Sequence, residues 1–397
     1  MRLIVITPDR LSPHSGGVDR VLCSLLPEFS DLGYDVLVLY SCDRICNVFN
    51  AVRQQMFPDS NIYSISNVSY LNGLIRESQE ETVVWVNSFY EEHLACSRAA
   101  CRDTKAKIVY TFHIDPVGVH KRWRDDLKWA YLVFLNKKSI RGFLSLIKFS
   151  IVLPLVRLSA IKQNREFLKR VCNLADLVTV LSTSHEITLR QIVGDVHKIV
   201  KVPNPIESTS YRYDNKKKII LLIARLTSQK RIDRFFSVWK TLHRKFDDWK
   251  VIIVGDGPDR ETYVGMVQRL NLPRVVFVGK KNAHEYLRQA SILCLPSTHE
   301  GQGCVIGEAL SCCCIPVCFE EVSKNFDELH SKGCIKYVSN YSLRHLERVL
   351  LSTMLQVNES ICNGRELFNS LEVKDVLNDY SPCNISKIYS TFFNSIF

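Results

Sequence analysis

Short apolar runs alternate with helix-patterned segments along most of this chain, and the alternation occurs in two separate series. The first series contains five predicted strands, at Leu3–Thr7, Val36–Tyr40, Ile62–Ile65, Val83–Val86 and Ile108–Phe112. Helical periodicity separates several of them, at Val18–Leu32, Leu71–Glu77 and Tyr90–Cys101. Repeated strand–helix units predict a parallel, doubly wound sheet, since parallel neighbours need a crossover between them.

A second series of the same kind occupies the C-terminal half. Its predicted strands are Ile219–Ala224, Trp249–Val254, Val275–Val278, Ile292–Pro296 and Ile315–Phe319. Its predicted helices are Ile232–Phe246, Asp259–Leu270 and His284–Ala290. The expected fold class is therefore α/β, with two Rossmann-like domains whose parallel sheets face a central cleft.

The domain boundary is predicted from two prolines and a charged run. Lys201–Ile206 contains both prolines, and the polar segment Glu207–Lys218 follows it. The length of 397 residues suits two domains, and 46% hydrophobic residues suit a globular protein. We expect an N-terminal domain at 1–205, a C-terminal domain at 206–375, and a terminal helix at 376–397 that packs back on the N-terminal domain.

The fifteen cysteines are scattered, odd in number and without a CxxC pair. We expect reduced, mostly buried thiols, since free cysteine is among the most buried residue types. Met1–Pro8 is too short for a signal-peptide core and is predicted to form the first strand. The run Cys312–Cys314 could bind a metal, but packing explains it better, because adjacent residues on a helix point in different directions.

The segment 123–170 departs from the strand–helix pattern and is strongly basic. Eight basic residues and no acidic residue lie between Asp126 and Glu166, and they account for most of the net charge of +11. A basic amphipathic helix with nearby aromatic residues suits an anionic membrane surface. The candidate membrane-contacting residues are Lys137, Lys138, Arg141 and Lys148.

Two other interpretations of segment 123–170 stay open: an apolar face that is simply core, and a nucleic-acid surface without a recognised motif. No uninterrupted apolar run reaches the ~20 residues that a membrane span needs. We therefore expect a cytoplasmic protein, peripheral at most on the cytoplasmic face of a membrane.

Two carboxylates mark the stretch Ser297–Leu310. Glu300 lies in a glycine-bracketed turn after a predicted strand, and Glu308 lies about one turn into the next predicted helix. The carboxyl ends of strands in an open α/β sheet are where ligands bind. From position alone these acids could be hydroxyl acceptors, an acid/base pair or metal ligands.

Other candidate site residues also follow predicted strands. Arg225 and Lys230 follow the first strand of the second series and are suited to a diphosphate, although they could be solvated loop cations. Gly17 opens a helix, where backbone N–H groups can approach an anion, but a structural turn is an equal alternative. Gly255 lies in a tight turn, and His113 ends a strand and could bind a sugar hydroxyl, phosphate or only its neighbours.

Taken together, the motifs resemble those of the GT-B glycosyltransferases, specifically the family 4 group of retaining, nucleotide-sugar-dependent enzymes. The residues that carry the resemblance run through most of the chain: Ser15–Val18, Tyr110–His113, Ala175–Asp176, Leu181–Ser182, Val202–Ile206, Ala224–Leu226 with Lys230, Val254–Pro258, Glu300–Gly301 and Glu308–Leu310. The last two match that family's pair of glutamates separated by seven residues.

The resemblance implies roles for the matching positions. Arg225 and Lys230 would stabilise the donor diphosphate as a leaving group, Glu300 would hold hydroxyls of the transferred sugar, and Glu308 would accept hydrogen bonds from the ribose. The other residues expected at the donor are His113, which completes the catalytic set with Arg225, Lys230 and Glu300, and the backbone of Gly17, Gly255, Gly301 and Gly303. No bound metal or other cofactor is expected beyond the nucleoside-diphosphate-sugar substrate.

The chain departs from the family pattern in three places. Gln302 replaces an aromatic or apolar residue, Cys314 replaces a glycine, and Glu320–Phe326 stands where a Gly-rich donor-site loop is usual. The charged residues are intact, so these departures bear on the identity of the donor sugar.

The expected function is transfer of a sugar from a nucleoside-diphosphate-sugar to a hydroxyl of a membrane-associated, lipid-linked glycan acceptor in surface polysaccharide synthesis. The partners would be a nucleotide sugar, the glycan acceptor and an anionic membrane, without nucleic acid. Two rival hypotheses are a non-catalytic nucleotide-sugar-binding or scaffold protein of the same fold, and a basic nucleic-acid-binding protein.

Overall fold

The computed structural model of the protein describes residues 1–13, 16–43, 49–117, 158–194, 198–207, 216–364 and 370–397. The chain divides into two compact units. The first unit comprises Met1–Pro116, Gln163–Glu207 and Asp379–Phe397. The second unit comprises Val117–Lys162 and Ser208–Asn378.

The first unit is built on a seven-stranded, fully parallel sheet. Its strands are β1 (Arg2–Asp9), β2 (Asp35–Cys42), β3 (Arg53–Met56), β4 (Thr82–Val86), β5 (Lys107–Phe112), β6 (Leu177–Val180) and β7 (Ile199–Lys201). They lie in the order β3-β2-β1-β4-β5-β6-β7. The order reverses between β1 and β4, which pair with each other in parallel. That position is the topological switch point, where ligands bind in open α/β sheets.

Helices connect these strands. They are α1 (Gly17–Asp31), α2 (Ile65–Glu77), α3 (Glu91–Ala100), α4 (residues 158–174) and α5 (Thr183–Val193). Serine side chains cap two of them: Ser64 accepts a hydrogen bond from the Asn67 amide, and Ser182 from the His185 amide. Such caps satisfy amide groups that have no partner inside the helix.

The C-terminal helix belongs to the core of the first unit. This helix, α14, spans Pro382–Ser395. Its Tyr389 ring lies 4.7 Å from the Trp85 ring, and its Phe393 ring stacks 5.7 Å from Phe29. Aromatic pairs at this spacing add to the hydrophobic burial. The last residues of the chain therefore complete the core that the first residues begin.

The second unit is built on a six-stranded parallel sheet. Its strands are β8 (Lys217–Ile223), β9 (Lys250–Val254), β10 (Val275–Gly279), β11 (Ala290–Leu295), β12 (Ile315–Phe319) and β13 (Lys336–Val338). Their order is β10-β9-β8-β11-β12-β13, so the switch point lies between β8 and β11. The helices are α6 (Ile232–Leu242), α7 (Arg260–Arg269), α8 (Ala283–Leu287), α9 (Val305–Ser311), α10 (Glu320–Ser323), α11 (Asp327–Ser331), α12 (Leu343–Asn363) and α13 (Ser370–Asp379).

The predicted α/β fold with two parallel sheets is confirmed. One predicted strand is wrong: Ile65 begins α2, and the third strand is β3. Strand β3 lies at the edge of the sheet, where two of its four residues are exposed and none is buried, so its sequence Arg-Gln-Gln-Met lacks the apolar run that marks a central strand. Central strands such as β4 are buried at every position.

The thiols are mostly buried, as predicted. Fourteen cysteines within the described ranges form no disulfide bond, and nine of them are buried. Burial raises the pKa of the Cys314 thiol to about 12, so this group stays protonated at neutral pH. These cysteines act as small apolar packing residues.

Most of the basic segment 123–170 lies outside the described residues, including all four candidate membrane residues, Lys137, Lys138, Arg141 and Lys148. In the part of the chain that the structure does describe, no helix combines the length and the apolarity needed to cross a bilayer.

Candidate active site

The loops that follow the second unit's strands meet at the carboxyl edge of the sheet. The loop after β8 begins at Ala224, and the loop after the neighbouring β11 begins at Pro296. These two strands flank the switch point, so their loops approach each other although they are far apart in sequence. The loop after β8 carries Arg225 and Lys230, and the loop after β11 carries Glu300.

Lys230 and Glu300 form a close ion pair at this edge. The Lys230 Nζ donates to both carboxylate oxygens of Glu300, at 2.7 and 2.8 Å. The two side chains are only 18% and 10% exposed. Largely desolvated charges attract each other more strongly than charges in water. The structure therefore joins two of the predicted site residues directly.

Arg225 lies on a loop that is supported by the glycine turn after β9. The Ala224 amide donates to Val254 O at 3.0 Å, and the Leu226 amide donates to Asp256 O at 2.9 Å. A Cβ at Gly255 would lie 2.0 Å from Ala224 O. Gly255 is therefore required by the close approach of two backbones, and it places the Arg225 loop. Arg225 itself is exposed.

Glu308 is buried in the first turns of α9, with 6% of its surface accessible. The helix begins after Gly303, whose φ of +72° lies in the left-handed region that favours glycine. Gly303 O accepts a hydrogen bond from the Ile306 amide at 2.8 Å. The positive φ turns the chain from the Glu300 loop into the helix. The turn therefore sets the position of Glu308 relative to the backbone of Glu300.

Sequence reasoning missed three side chains that hold the Glu300 loop. They are Gln229, Tyr341 and Asn325, which donate to the carbonyl groups of His299, Thr298 and Gly301. All three follow strands of the same sheet, but neutral residues in loops carry no sequence signal of their own. Their proximity to one loop depends on the strand order.

In the first unit, His113 lies at the carboxyl end of β5. Its Nε2 is 2.8 Å from Asn87 Oδ1, at the end of β4. Burial lowers the pKa of His113 to about 4, and a hydrogen bond with the Asn204 side chain opposes this shift. The ring is therefore neutral at pH 7 and offers a hydrogen bond rather than a positive charge. Asn204 belongs to the motif Val202–Ile206, so this motif lies against His113.

Gly17 is the first residue of α1, the helix that follows β1 at the first unit's switch point. No described atom lies within 4 Å of a Cβ built at Gly16 or Gly17. Packing among the described residues therefore does not require glycine at either position. No described side chain fills the space beside these two glycines, which suits an anion site at the start of the helix.

A second histidine of the first unit, His93, is buried between two serines. Its ring nitrogens lie 2.6 Å from Ser41 Oγ and 2.8 Å from Ser88 Oγ. Burial lowers the pKa of His93 to about 4, below its ordinary value near 6.5. The unfolded chain therefore binds a proton first as the pH falls, and the native state loses stability between pH 6.5 and pH 4.

We expect this histidine to make the first unit sensitive to acid. On lowering the pH from 7 to 5, the wild-type protein should lose about 2 kcal/mol more unfolding free energy than a His93→Gln variant, since each pH unit below 6.5 contributes about 1.4 kcal/mol. Denaturant unfolding at both pH values measures the difference. Parallel losses in the two proteins would contradict the assignment.

Among the described residues, no group of three or more His, Cys, Asp or Glu side chains is arranged to hold a metal ion. The expectation of a metal-free site stays a prediction.

Comparison with known proteins agrees with this architecture. Residues 204–332 match the family model of glycosyl transferases group 1. An uncharacterized glycosyltransferase of Haemophilus influenzae is 32% identical over 138 residues, which cover 33% of this chain and 38% of that protein. The amylovoran biosynthesis glycosyltransferase AmsD of Erwinia amylovora is 26% identical over 199 residues, which cover 47% of this chain and 55% of AmsD. The alignments thus span less than two thirds of either relative.

Solved structures match over the full chain. TarM of S. aureus, in complex with fondaparinux, alpha-GlcNAc-glycerol and UDP, superposes with a TM-score of 0.72 at 14% identity, covering 99% of both chains. HepE of Anabaena, in complex with UDP and glucose, superposes with a TM-score of 0.70 at 15% identity, covering 100% of both chains. The resemblance predicted from the motifs is confirmed: the chain has the GT-B fold, and its residues 204–332 match the glycosyl transferases group 1 family.

Proposed function

We propose that the protein is a retaining glycosyltransferase that moves a sugar from a nucleoside-diphosphate-sugar to a hydroxyl of a lipid-linked glycan acceptor in surface polysaccharide synthesis. The observation that carries this proposal is the Lys230–Glu300 ion pair at the second unit's switch point. A cation and a carboxylate at this position match the two halves of such a donor, which are a diphosphate and a polyhydroxylated sugar.

The ion pair has a role in each state of the site. Without donor, Lys230 compensates the largely buried Glu300 carboxylate, which would otherwise be costly to desolvate. When the donor binds, Lys230 pairs with its diphosphate instead of with Glu300. Hydroxyl groups of the sugar then donate hydrogen bonds to the Glu300 carboxylate. Arg225 adds a second cation from the same loop, and Glu308 accepts hydrogen bonds from the ribose.

Transfer breaks the bond between the anomeric carbon and the diphosphate oxygen and forms a bond from the acceptor oxygen to the same carbon. In the proposed retaining reaction both events occur on one face of the sugar. The departing phosphate oxygen takes the acceptor proton, so no protein nucleophile is needed. Arg225 and Lys230 stabilise the negative charge that develops on the diphosphate, and the proposal includes no bound metal.

The related proteins support the substrate classes. HepE was solved with UDP and glucose, and TarM with UDP and alpha-GlcNAc-glycerol. The name of AmsD places it in the biosynthesis of amylovoran. For this chain we propose a nucleotide sugar as donor and a glycan as acceptor, with the basic segment 123–170 holding the protein on the cytoplasmic face of an anionic membrane.

A panel of nucleotide sugars tests the donor proposal through thermal unfolding. A ligand that binds only the folded state stabilises it by about 2.7 kcal/mol at a concentration 100 times its Kd. We expect one nucleotide sugar to raise the melting temperature of the wild-type protein and to do so less in a Glu308→Ala variant. Stabilisation by none of them contradicts the proposal. Stabilisation without release of nucleoside diphosphate in the presence of any glycan acceptor favours a non-catalytic binding protein.

Flotation with vesicles tests the membrane proposal separately. The wild-type protein should float with anionic vesicles. A variant with Lys137, Lys138 and Arg141 changed to glutamine should remain in the bottom fraction. Equal flotation of both proteins argues against the basic segment as the contact. Salt-sensitive binding to DNA or RNA that outcompetes the vesicles would instead support a nucleic-acid surface.

A further inference from the structure

Three neutral side chains hold consecutive parts of the Glu300 loop through its backbone carbonyl groups. Tyr341 Oη donates to Thr298 O at 2.8 Å, Gln229 Nε2 to His299 O at 2.9 Å, and Asn325 Nδ2 to Gly301 O at 2.6 Å. Gln229 is itself held by the loop, since its backbone O accepts from the Thr298 amide at 3.1 Å. The Glu300 loop is thus held by residues that follow three different strands of the sheet.

Asn325 supports the part of this loop closest to the Glu300 carboxylate. Its Nδ2 also lies 3.4 Å from Glu300 O, and the residue is 5% exposed. Both neighbouring atoms are carbonyl oxygens, so the amide must present its NH₂ group to them. On the far side of Glu300 the chain passes through Gly301 and Gly303, which restrict the backbone little. Asn325 therefore restrains the backbone of a segment that contains two glycines.

Asn325 lies in the segment Glu320–Phe326, which replaces the Gly-rich loop expected from the resemblance to family 4. Here the segment forms the short helix α10 and a turn, and the Asn325 amide donates to Val322 O at 3.2 Å. Lys324, one residue earlier, instead pairs with Glu320 at 2.9 Å and is 45% exposed. The segment thus directs the Asn325 side chain at the Glu300 loop and the Lys324 side chain towards solvent.

We propose that Asn325 is a positioning residue that fixes the Glu300 backbone and thereby sets the selectivity for the sugar part of the donor. The inference rests on the proposed role of Glu300 as acceptor for the sugar's hydroxyl groups. Once Lys230 pairs with the diphosphate, the Lys230–Glu300 ion pair no longer restrains the Glu300 side chain. From then on the backbone bonds from Asn325 hold the carboxylate at the position that a particular arrangement of hydroxyls requires.

The test compares Asn325→Ala and Asn325→Asp with wild-type protein and with Lys324→Ala as the matched control. Asn325→Asp keeps the shape but places an acceptor against two carbonyl oxygens. For both Asn325 variants we expect kcat/KM for the preferred nucleotide sugar to fall about 10-fold, in line with the loss of a buried hydrogen bond, and kcat/KM for an epimeric nucleotide sugar to fall less. An equal fall for both sugars would contradict the role in selectivity. Affinity for the free nucleoside diphosphate, measured by calorimetry, should change less than about 2-fold, since the diphosphate binds Arg225 and Lys230 and makes no hydrogen bond with the Glu300 loop.

Hydrogen exchange of the peptide that contains residues 297–304 gives a readout without catalysis. Faster exchange in the Asn325 variants, with wild-type exchange in Lys324→Ala, supports the positioning role whether or not any sugar is transferred. Unchanged exchange in the Asn325 variants overturns the positioning role. An equal loss of affinity for the nucleotide sugar and for the free nucleoside diphosphate also overturns it. Failure of the wild-type protein to transfer any sugar counts against the proposed function and leaves the exchange result to decide on Asn325.

Discussion

A Lys230→Ala variant is expected to lose about a thousandfold in kcat/KM for sugar transfer. The change removes a preorganised cation from the leaving diphosphate, and the loss of one such group typically costs 10²–10³-fold. The variant also leaves the Glu300 carboxylate, which is 10% exposed, without the cation that Lys230 supplies. That carboxylate would then repel the diphosphate, so the loss should lie at the upper end. Steady-state kinetics with the donor found in the nucleotide-sugar panel measure it.

Two further variants separate the causes of this loss. A Glu300→Gln change added to Lys230→Ala removes the repulsion and should restore part of the affinity for the free nucleoside diphosphate, but not transfer. Lys218→Ala is the matched control, because Lys218 lies at the amino end of β8, the strand that precedes the Lys230 loop, and pairs there with Asp248 at the surface. Near-normal turnover in Lys230→Ala would mean that the Lys230–Glu300 pair is not part of the active site.

Gly255→Ala is expected to destabilise the second unit by about 3–5 kcal/mol, through overpacking against a backbone and strain at a positive φ. The new Cβ would lie 2.0 Å from Ala224 O, and the residue has a φ of +128°. The two backbones must separate, which weakens the bonds that hold Ala224 and Leu226 to the turn. Denaturant unfolding followed by the fluorescence of the buried Trp239 and Trp249 measures the loss.

Gly333→Ala provides the control for this change. Gly333 has a φ of +68°, but no atom of the described residues lies within 4 Å of a Cβ built there, so only the backbone strain of about 1 kcal/mol is expected. The difference between the two variants measures the close approach alone. Similar stabilities would mean that the turn after β9 adapts to a side chain. Where Gly255→Ala stays folded, it should still lower transfer, because the shifted backbone carries Arg225.

Much of the fold follows from local pattern. Strands such as β4 and β11 are buried at every position, so each is written as a continuous apolar run. The edge strand β3 has no such run, and the prediction at Ile62–Ile65 failed for that reason. The long helix α12 was also not predicted, although its apolar residues Leu346, Leu350, Met354 and Val357 recur at helical spacing.

The site could be predicted only in part. Charged residues after strands were recognisable, and the family resemblance named Arg225, Lys230, Glu300 and Glu308. Lys230 and Glu300 lie 70 residues apart, and their contact depends on the pairing of β8 with β11. The contribution of Asn325 could not be read from the chain, because an asparagine in a loop is unremarkable until the loop it faces is known.

The sequence by itself determined the two series of strands and helices and the charges that end several of those strands. It could do so because burial and side-chain direction repeat with the period of each element, which is local information. Only the tertiary structure decided that Gly255 must be glycine because Ala224 lies against it, and that Asn325 holds the loop of Glu300. Those facts depend on strand order, which brings together loops that no local pattern relates.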